Sequence, residues 1–115
     1  KNYKLHLGNI DIARDWGWAP DYVEAMQQIT RAKIKKDYVI CTGKLTQLVE
    51  VIDKTFKKLN MDWKDYVVID ESYKRKFDIT KNFGDPKPLK NELGWENKKN
   101  INEIIDLLLC EYCLE

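Results

Sequence analysis

The sequence has no long apolar run and no excess of charge of one sign. No apolar run approaches the roughly 18 to 20 residues that a membrane-spanning helix needs, so we expect no membrane partner. Twenty basic and nineteen acidic residues leave a formal net charge of +1, which gives no general argument for a nucleic acid partner. With 43% hydrophobic and 34% charged residues, the composition is typical of an ordinary soluble globular chain.

Cysteine is also scarce. The three cysteines form an odd set, which fits a reducing compartment better than a disulfide framework. Together with the lack of a signal-peptide layout, this predicts a cytoplasmic location. Cys110 and Cys113 stand three residues apart without a second pair, whereas a structural zinc site needs four ligands. Core packing is therefore the better prediction for this pair.

The sequence does not carry the residues of a self-sufficient enzyme. No Gly-x-Gly-x-x-Gly follows a strand, and no Tyr-x-x-x-Lys pair stands in a suitable helix and strand context. The only histidine, His6, lies beside apolar neighbours and is interpreted as a structural or surface imidazole. We therefore predict no catalytic, cofactor-binding or metal-binding residue in this chain.

Hydrophobic patterning predicts a small, incomplete α/β unit, and 115 residues form one domain at most. Strands are expected at 5–9, at 67–70 and, as a continuous apolar run covered on both faces, at 38–42. The segment 71–85 is expected to be an irregular polar loop.

Four helices are predicted between and after these strands. The first begins at Pro20 and has an apolar side made of Tyr22, Val23, Met26 and Ile29. The second follows Thr46 as N-cap, the third stops at Gly94, and the last is capped by Asn100. The second helix has an apolar stripe at helical spacing, namely Leu48, Val49, Ile52, Phe56 and Leu59.

The last helix carries more apolar residues than one stripe requires. The stripe consists of Ile101, Ile104, Ile105, Leu108 and Tyr112. Three further apolar residues lie off this stripe, namely Leu107, Leu109 and Cys110. Two interpretations stay open: burial on two sides, one of them against a partner, or full burial within this domain.

Arg14 and Arg75 are the candidates for binding an anion. Each stands at the edge of a predicted element, with few apolar neighbours to explain it. Arginine offers a planar pair of donors that suits a diphosphate. Asp78 lies three residues after Arg75 and could accept two hydrogen bonds from a ribose diol. The alternative is that these are ordinary solvated side chains.

A series of motifs resembles the C-terminal third of the GDP-mannose 4,6-dehydratases, a branch of the extended short-chain dehydrogenase/reductase family. The family patterns are "LGN-x-D-x-x-RDWG-x-A-x-DYV-x-AM", "DYVIATG", "DW-x-DYVVID" and "YRP-x-EV-x-x-L-x-GDP-x-KA-x-x-x-LGW". The matching stretches occur in the same order along essentially the whole chain, at 7–11, 14–26, 37–43, 62–70, 74–79, 84–86 and 93–95.

The resemblance implies the nucleotide-sugar-binding subdomain, residues 1–115, of an NADP-binding Rossmann-fold lyase. That family converts GDP-mannose to GDP-4-keto-6-deoxymannose, a step of GDP-fucose biosynthesis. By resemblance Arg14 and Arg75 hold the diphosphate, and Asp78, where the family has Glu, contacts the ribose. The resemblance also places three residues close to the nucleotide, namely Leu7, Gly8 and Asn9.

The cofactor-binding and catalytic front of that family has no counterpart here, which leaves three hypotheses. The chain is the substrate-binding portion of a dehydratase that works only with its Rossmann domain, or a truncated remnant that binds a nucleotide sugar without catalysis. The third hypothesis is an interaction module that docks on an intact dehydratase, or on itself, through exposed apolar surface. NADP is expected in the intact enzyme and not in this chain.

Overall fold

A computed structural model describes residues 3–77 and 79–112. Asp78 and Cys113 therefore lie outside the described residues. The elements confirm the mixed α/β class, and their order is β1 (Leu5–Leu7), β2 (Ala13–Asp15), α1 (Ala19–Arg31), β3 (Leu45–Gln47), α2 (Leu48–Lys58), β4 (Val67–Ile69), β5 (Lys81–Asn82), α3 (Lys87–Leu93) and α4 (Ile101–Tyr112). Within the described part, no helix is long and apolar enough to span a bilayer.

The chain divides into two compact units. The first runs to Arg14 and resumes at Thr46–Asn82, and the second comprises Asp15–Leu45 and everything from Phe83 onward. In the first unit β1 pairs in parallel with β4, with His6 opposite Val68. A second ladder has the order β3-β2-β5, in which β2 and β5 are parallel.

In the first unit α2 packs against the segment 63–66, which leads into β4. Ile52 is the buried residue of α2, and the Phe56 ring stacks on Tyr66 with centroids 5.7 Å apart. Ile10 and Ala13 are also buried. The predicted apolar stripe of α2 is therefore confirmed for Ile52 and Phe56, which lie at helical spacing. It is wrong for Leu59, which follows the end of α2 and is 39% exposed.

The second unit is built around Ala25, Leu89 and Trp95. Trp95 is 2% exposed, and the Tyr22 ring meets it edge to face at 6.2 Å. The ends of its helices follow the sequence. Gly94 ends α3 with φ of 76°, a left-handed conformation that glycine adopts without strain.

The predicted cap of α4 is confirmed. Asn100 Oδ1 accepts the Glu103 N–H at 2.9 Å, while Glu103 Oε1 accepts the Asn100 N–H at 3.2 Å. This reciprocal pair is a capping box, which satisfies two donors at the start of the helix.

The predicted strand at 38–42 is wrong. These residues belong to no ladder, and Val39 is 64% exposed while Tyr38 and Ile40 pack against the core. Only one side of the segment is covered. The backbone N–H groups of Thr42 and Gly43 donate to a carboxylate, Asp15, rather than to a strand. An apolar run cannot show in advance which of these partners its backbone will find.

Two further predictions about helices need correction. Thr46 is not an N-cap, because it is buried within β3 and α2 begins at Leu48. The apolar side of α1 is also only partly right. Val23 and Met26 are about half exposed, whereas Ala25 is fully buried. A small residue lets α1 approach its neighbours closely, so the buried side centres on Ala25.

The loop predicted at 71–85 is not wholly irregular. It contains a 3₁₀ turn at Glu71–Tyr73 and the short strand β5. Sequence patterning misses both because each is only two or three residues long.

The last helix is not fully buried within this structure. Ile101, Ile104 and Ile105 are buried, as predicted. The second half is open, with Leu107, Leu108 and Tyr112 exposed by 39%, 44% and 77%. Cys110 is exposed as well, so core packing was the wrong interpretation for it.

Candidate functional site: a cavity lined by two arginines

Two of the three arginines of the chain line one cavity in the first unit. Its volume is about 290 Å³. The described residues around it are Gly8, Asn9, Ile12, Arg14, Tyr73 and Arg75. The structure thus brings together Arg14 and Arg75, which 60 residues of chain separate.

One wall of the cavity follows from the end of β1. The strand ends at Leu7, and the chain then turns at Gly8 and Asn9. The Asn9 side-chain oxygen accepts the N–H of Asp11 at 2.9 Å, the kind of local turn that asparagine favours. The chain then enters β2, which carries Arg14, and the Arg14 guanidinium donates to the Ala13 carbonyl at 2.9 Å.

The other wall is the segment after β4. Asp70 caps the 3₁₀ turn by accepting the Ser72 N–H at 3.0 Å, and this turn carries Tyr73 at its end. The Tyr73 carbonyl lies so close to Gly8 that a Cβ at Gly8 would stand 2.7 Å from it. Glycine is therefore the only residue that lets the two walls meet without displacement.

The positive charge of the cavity lining suits a small anion. Two guanidinium groups supply forks of N–H donors, and the rest of the described lining adds no carboxylate. Leu7, the last residue of β1, is not among the described residues that line the cavity. Asp78 lies outside the described residues, so its proposed contact with a ribose stays a prediction.

Sequence reasoning did not single out Ile12 and Tyr73. Ile12 precedes β2, and its carbonyl accepts the Leu48 N–H at 2.8 Å. Tyr73 stands two residues before Arg75, and its side chain is 61% exposed. An aromatic residue beside a candidate anion-binding arginine in a polar segment was the available signal for Tyr73.

The motif that follows Arg14 has a structural role in the second unit. Both Asp15 carboxylate oxygens accept hydrogen bonds, from Thr42 and from the N–H of Gly43 at 2.7 Å. The Tyr22 ring lies directly on Gly17, where a Cβ would stand 2.0 Å from the tyrosine hydroxyl oxygen. Burial, followed by the nearby Asp15 charge, raises the pKa of Tyr22.

The fold recurs in solved structures of other proteins. The chain is similar to RMD from Pseudomonas aeruginosa complexed with NADPH, with a TM-score of 0.84 at 19% identity over 97% of this chain and 36% of that one. It is also similar to a dTDP-glucose 4,6-dehydratase from Bacillus anthracis in complex with NAD, with a TM-score of 0.83 at 22% identity over 98% of this chain and 35% of that one. At these identities the likeness establishes the fold.

Sequence similarity establishes the family. The family model described as GDP-mannose 4,6 dehydratase matches residues 1–108, and the chain belongs to this family. It is 37% identical to GDP-mannose 4,6 dehydratase 2 of Arabidopsis thaliana, over 94% of this chain and 29% of that protein. It is 35% identical to the Dictyostelium discoideum GDP-mannose 4,6 dehydratase, over 88% of this chain and 33% of that protein. The chain thus spans about a third of the length of these relatives.

Proposed function

We propose that this chain is the part of a GDP-mannose 4,6-dehydratase that binds the GDP portion of GDP-mannose. The observation that carries the proposal is the placement of Arg14 and Arg75 on one cavity. A diphosphate has negative oxygens on both phosphates, and two guanidinium forks match them from two walls. The remainder of the lining is small or uncharged, which leaves room for the ligand to approach the backbone of Gly8 and Asn9.

In this proposal the chain binds GDP-mannose, and a Rossmann domain of the intact enzyme carries out the chemistry. The sequence holds neither a glycine-rich dinucleotide fingerprint nor a Tyr-x-x-x-Lys pair, and the hydride transfers of this reaction require the cofactor to be positioned. Alone, the chain is expected neither to form a 4-keto sugar from GDP-mannose nor to bind NADP. The intact enzyme would use NADP in the cytoplasm.

Calorimetric titration of the purified chain tests the proposal. GDP and GDP-mannose are expected to bind, and GMP is expected to bind more weakly because it offers one phosphate to two arginines. Arg31 provides the matched control, since it is exposed at the end of α1 and does not line the cavity. The assignment would be contradicted if Arg14→Ala and Arg75→Ala bound GDP as tightly as the unmodified chain. Equal affinities of the unmodified chain for GDP and GMP would contradict it as well.

A second candidate function, an interaction module, has one observation in its favour. The second half of α4 presents three exposed apolar side chains, Leu107, Leu108 and Tyr112. Neighbouring exposed apolar residues favour a partner surface. Sedimentation of the chain across a concentration series tests this function. If the chain sediments as a monomer at every concentration, and Leu108→Lys sediments in the same way, the result would argue against self-association.

A further inference from the structure

The carboxylate of Asp70 connects β1 to the turn that carries one wall of the cavity. Its Oδ1 accepts the backbone N–H of Ser72 at 3.0 Å and the Ser72 hydroxyl at 2.6 Å. Its Oδ2 lies 3.4 Å from Nδ1 of His6 on β1. The Asp70 backbone N–H also donates to the Leu7 carbonyl at 2.7 Å. One residue thus contacts both the strand that leads into one wall and the turn that leads into the other.

The turn held by Asp70 sets where Tyr73 lies. The Tyr73 N–H donates to the Asp70 carbonyl at 3.1 Å, and the Tyr73 carbonyl is in close contact with Gly8. Arg75 follows two residues later and lines the cavity. The position of Arg75 relative to Gly8 therefore depends on a short chain of contacts that starts at Asp70.

The charge of Asp70 suits this role. The two hydrogen bonds from Ser72, and after them the contact with His6, lower the pKa of the Asp70 carboxyl group. It is therefore ionised at neutral pH, and both of its oxygens act as acceptors. A protonated or amide side chain would offer one acceptor fewer.

We propose that Asp70 is a positioning residue for diphosphate binding, which holds the segment 73–75 against Gly8 so that Arg75 reaches the same cavity as Arg14 before the ligand arrives. The inference rests on the proposed function, since it assigns how one arginine of that site is placed. Asp70 itself does not line the cavity. It acts through the 3₁₀ turn and not through contact with the ligand.

Preorganisation predicts the size of the effect. When only a fraction of the molecules hold the binding-competent arrangement, the apparent dissociation constant rises by the inverse of that fraction. Replacing an aspartate cap by alanine is expected to weaken GDP binding on the order of fivefold, because a helix cap typically contributes about 1 kcal/mol. Asp70→Asn is expected to restore most of the affinity, since asparagine caps about as well as aspartate.

The experiment measures hydrogen exchange at the amides of 72–75 without ligand, and GDP affinity by calorimetry, in the same variants. Glu71→Ala is the matched control, because Glu71 is a carboxylate on the same turn that forms an ion pair with the exposed Lys74, 2.8 Å away. Asp70→Ala is expected to exchange faster at 72–75 and to bind GDP more weakly. Asp70→Asn is expected to recover both, and Glu71→Ala to resemble the unmodified chain.

The two measurements separate this inference from the proposed function. An unmodified chain that fails to bind GDP would overturn the proposed function, and with it the assignment of Asp70 to diphosphate binding. Unchanged exchange at 72–75 in Asp70→Ala, with GDP still bound by the unmodified chain, would overturn the positioning role alone. If Asp70→Ala does not fold, Ser72→Ala tests the positioning role instead, because it removes only the hydrogen bond from the Ser72 hydroxyl to Asp70. Faster exchange at 73–75 in a folded Ser72→Ala supports the role, and no change refutes it.

Discussion

Asp15 accepts both the backbone N–H and the hydroxyl of Thr42 on a single carboxylate oxygen, at 3.0 and 2.5 Å. The other oxygen accepts the N–H of Gly43. The two residues lie 27 positions apart, so this contact closes a long loop of the second unit. It also explains why the motif after Arg14 has an aspartate, since no neutral side chain of that length accepts three hydrogen bonds in this way.

Asp15→Ala is expected to lower the free energy of unfolding by about 2 to 4 kcal/mol, because it removes three hydrogen bonds to a charged, partly buried acceptor. Thr42→Val is expected to cost less, about 1 kcal/mol, since it removes one of the three. Chemical denaturation measures both. Asp37→Ala is the control, as it removes an exposed aspartate of the same region, and an equal loss there would contradict the prediction.

Asp21 provides a second structural test. It is 6% exposed, and its Oδ2 accepts the N–H groups of Lys98 and Lys99 at 3.0 and 3.1 Å. Asp21→Ala is expected to destabilise the chain by about 2 to 4 kcal/mol and to speed hydrogen exchange at both lysine amides, because two donors lose their acceptor.

Glu24→Ala is the control for Asp21, since it also contacts Lys98, through an exposed ion pair of 3.0 Å. Exposed pairs contribute roughly 0 to 1 kcal/mol, so a small effect is expected there. Comparable losses from Asp21→Ala and Glu24→Ala would show that the buried acceptor has no special role.

Substitutions of Arg75 test directly whether the cavity binds GDP. Arg75→Ala is expected to weaken GDP binding by about 1.5 to 3 kcal/mol, the range for a hydrogen-bonding partner that carries a charge. Arg75→Lys is expected to recover only part of this loss, because lysine keeps the charge but loses the planar fork. Calorimetry with Arg31→Ala as control measures the difference. Full recovery in Arg75→Lys would mean that charge alone matters at this position.

The contacts of the Glu92 carboxylate predict how the stability of the fold depends on pH. Its Oε1 accepts from Lys36 Nζ at 2.6 Å and from the Tyr38 hydroxyl at 2.9 Å. These hydrogen bonds, that of Lys36 first, lower the pKa of Glu92 below its ordinary value of 4.5. A carboxylate whose pKa is lower in the folded than in the unfolded state stabilises the fold above the unfolded value, and this stabilisation is lost as the pH falls through the folded value.

Glu92→Gln is therefore expected to lower the melting temperature at neutral pH and to flatten its fall below pH 4.5. Melting curves between neutral and acidic pH give the comparison. Glu96→Gln is the control, because Glu96 pairs with Lys90 and contacts neither Lys36 nor Tyr38. Parallel acid profiles for the unmodified chain and Glu92→Gln would disprove the contribution of this cluster.

Local signals predicted some elements of the fold well. The inward side of α2 at Ile52 and Phe56, the stop at Gly94 and the cap at Asn100 are confirmed, because each depends on residues within one or two helical turns. The strand at 38–42 and the cap at Thr46 were wrong, because both depend on which distant partner the backbone finds.

The candidate site was predicted in part. Motif order identified the family, and it named Arg14, Arg75, Gly8 and Asn9, all of which line one cavity. It did not identify Tyr73 or the cap by Asp70, because the role of each depends on a turn too short to leave a periodic pattern.

The sequence by itself determined the family, the end of α3 at Gly94, the cap of α4 at Asn100 and the choice of arginine for the candidate site, since these depend on residue type and local order. Only the tertiary structure decided which residues share a cavity. Arg14 and Arg75 are distant in the chain, and they line one cavity because parallel pairing of β1 with β4 returns the segment after β4 to Gly8. Contacts of this kind depend on strand register and backbone approach, which side-chain identity leaves open.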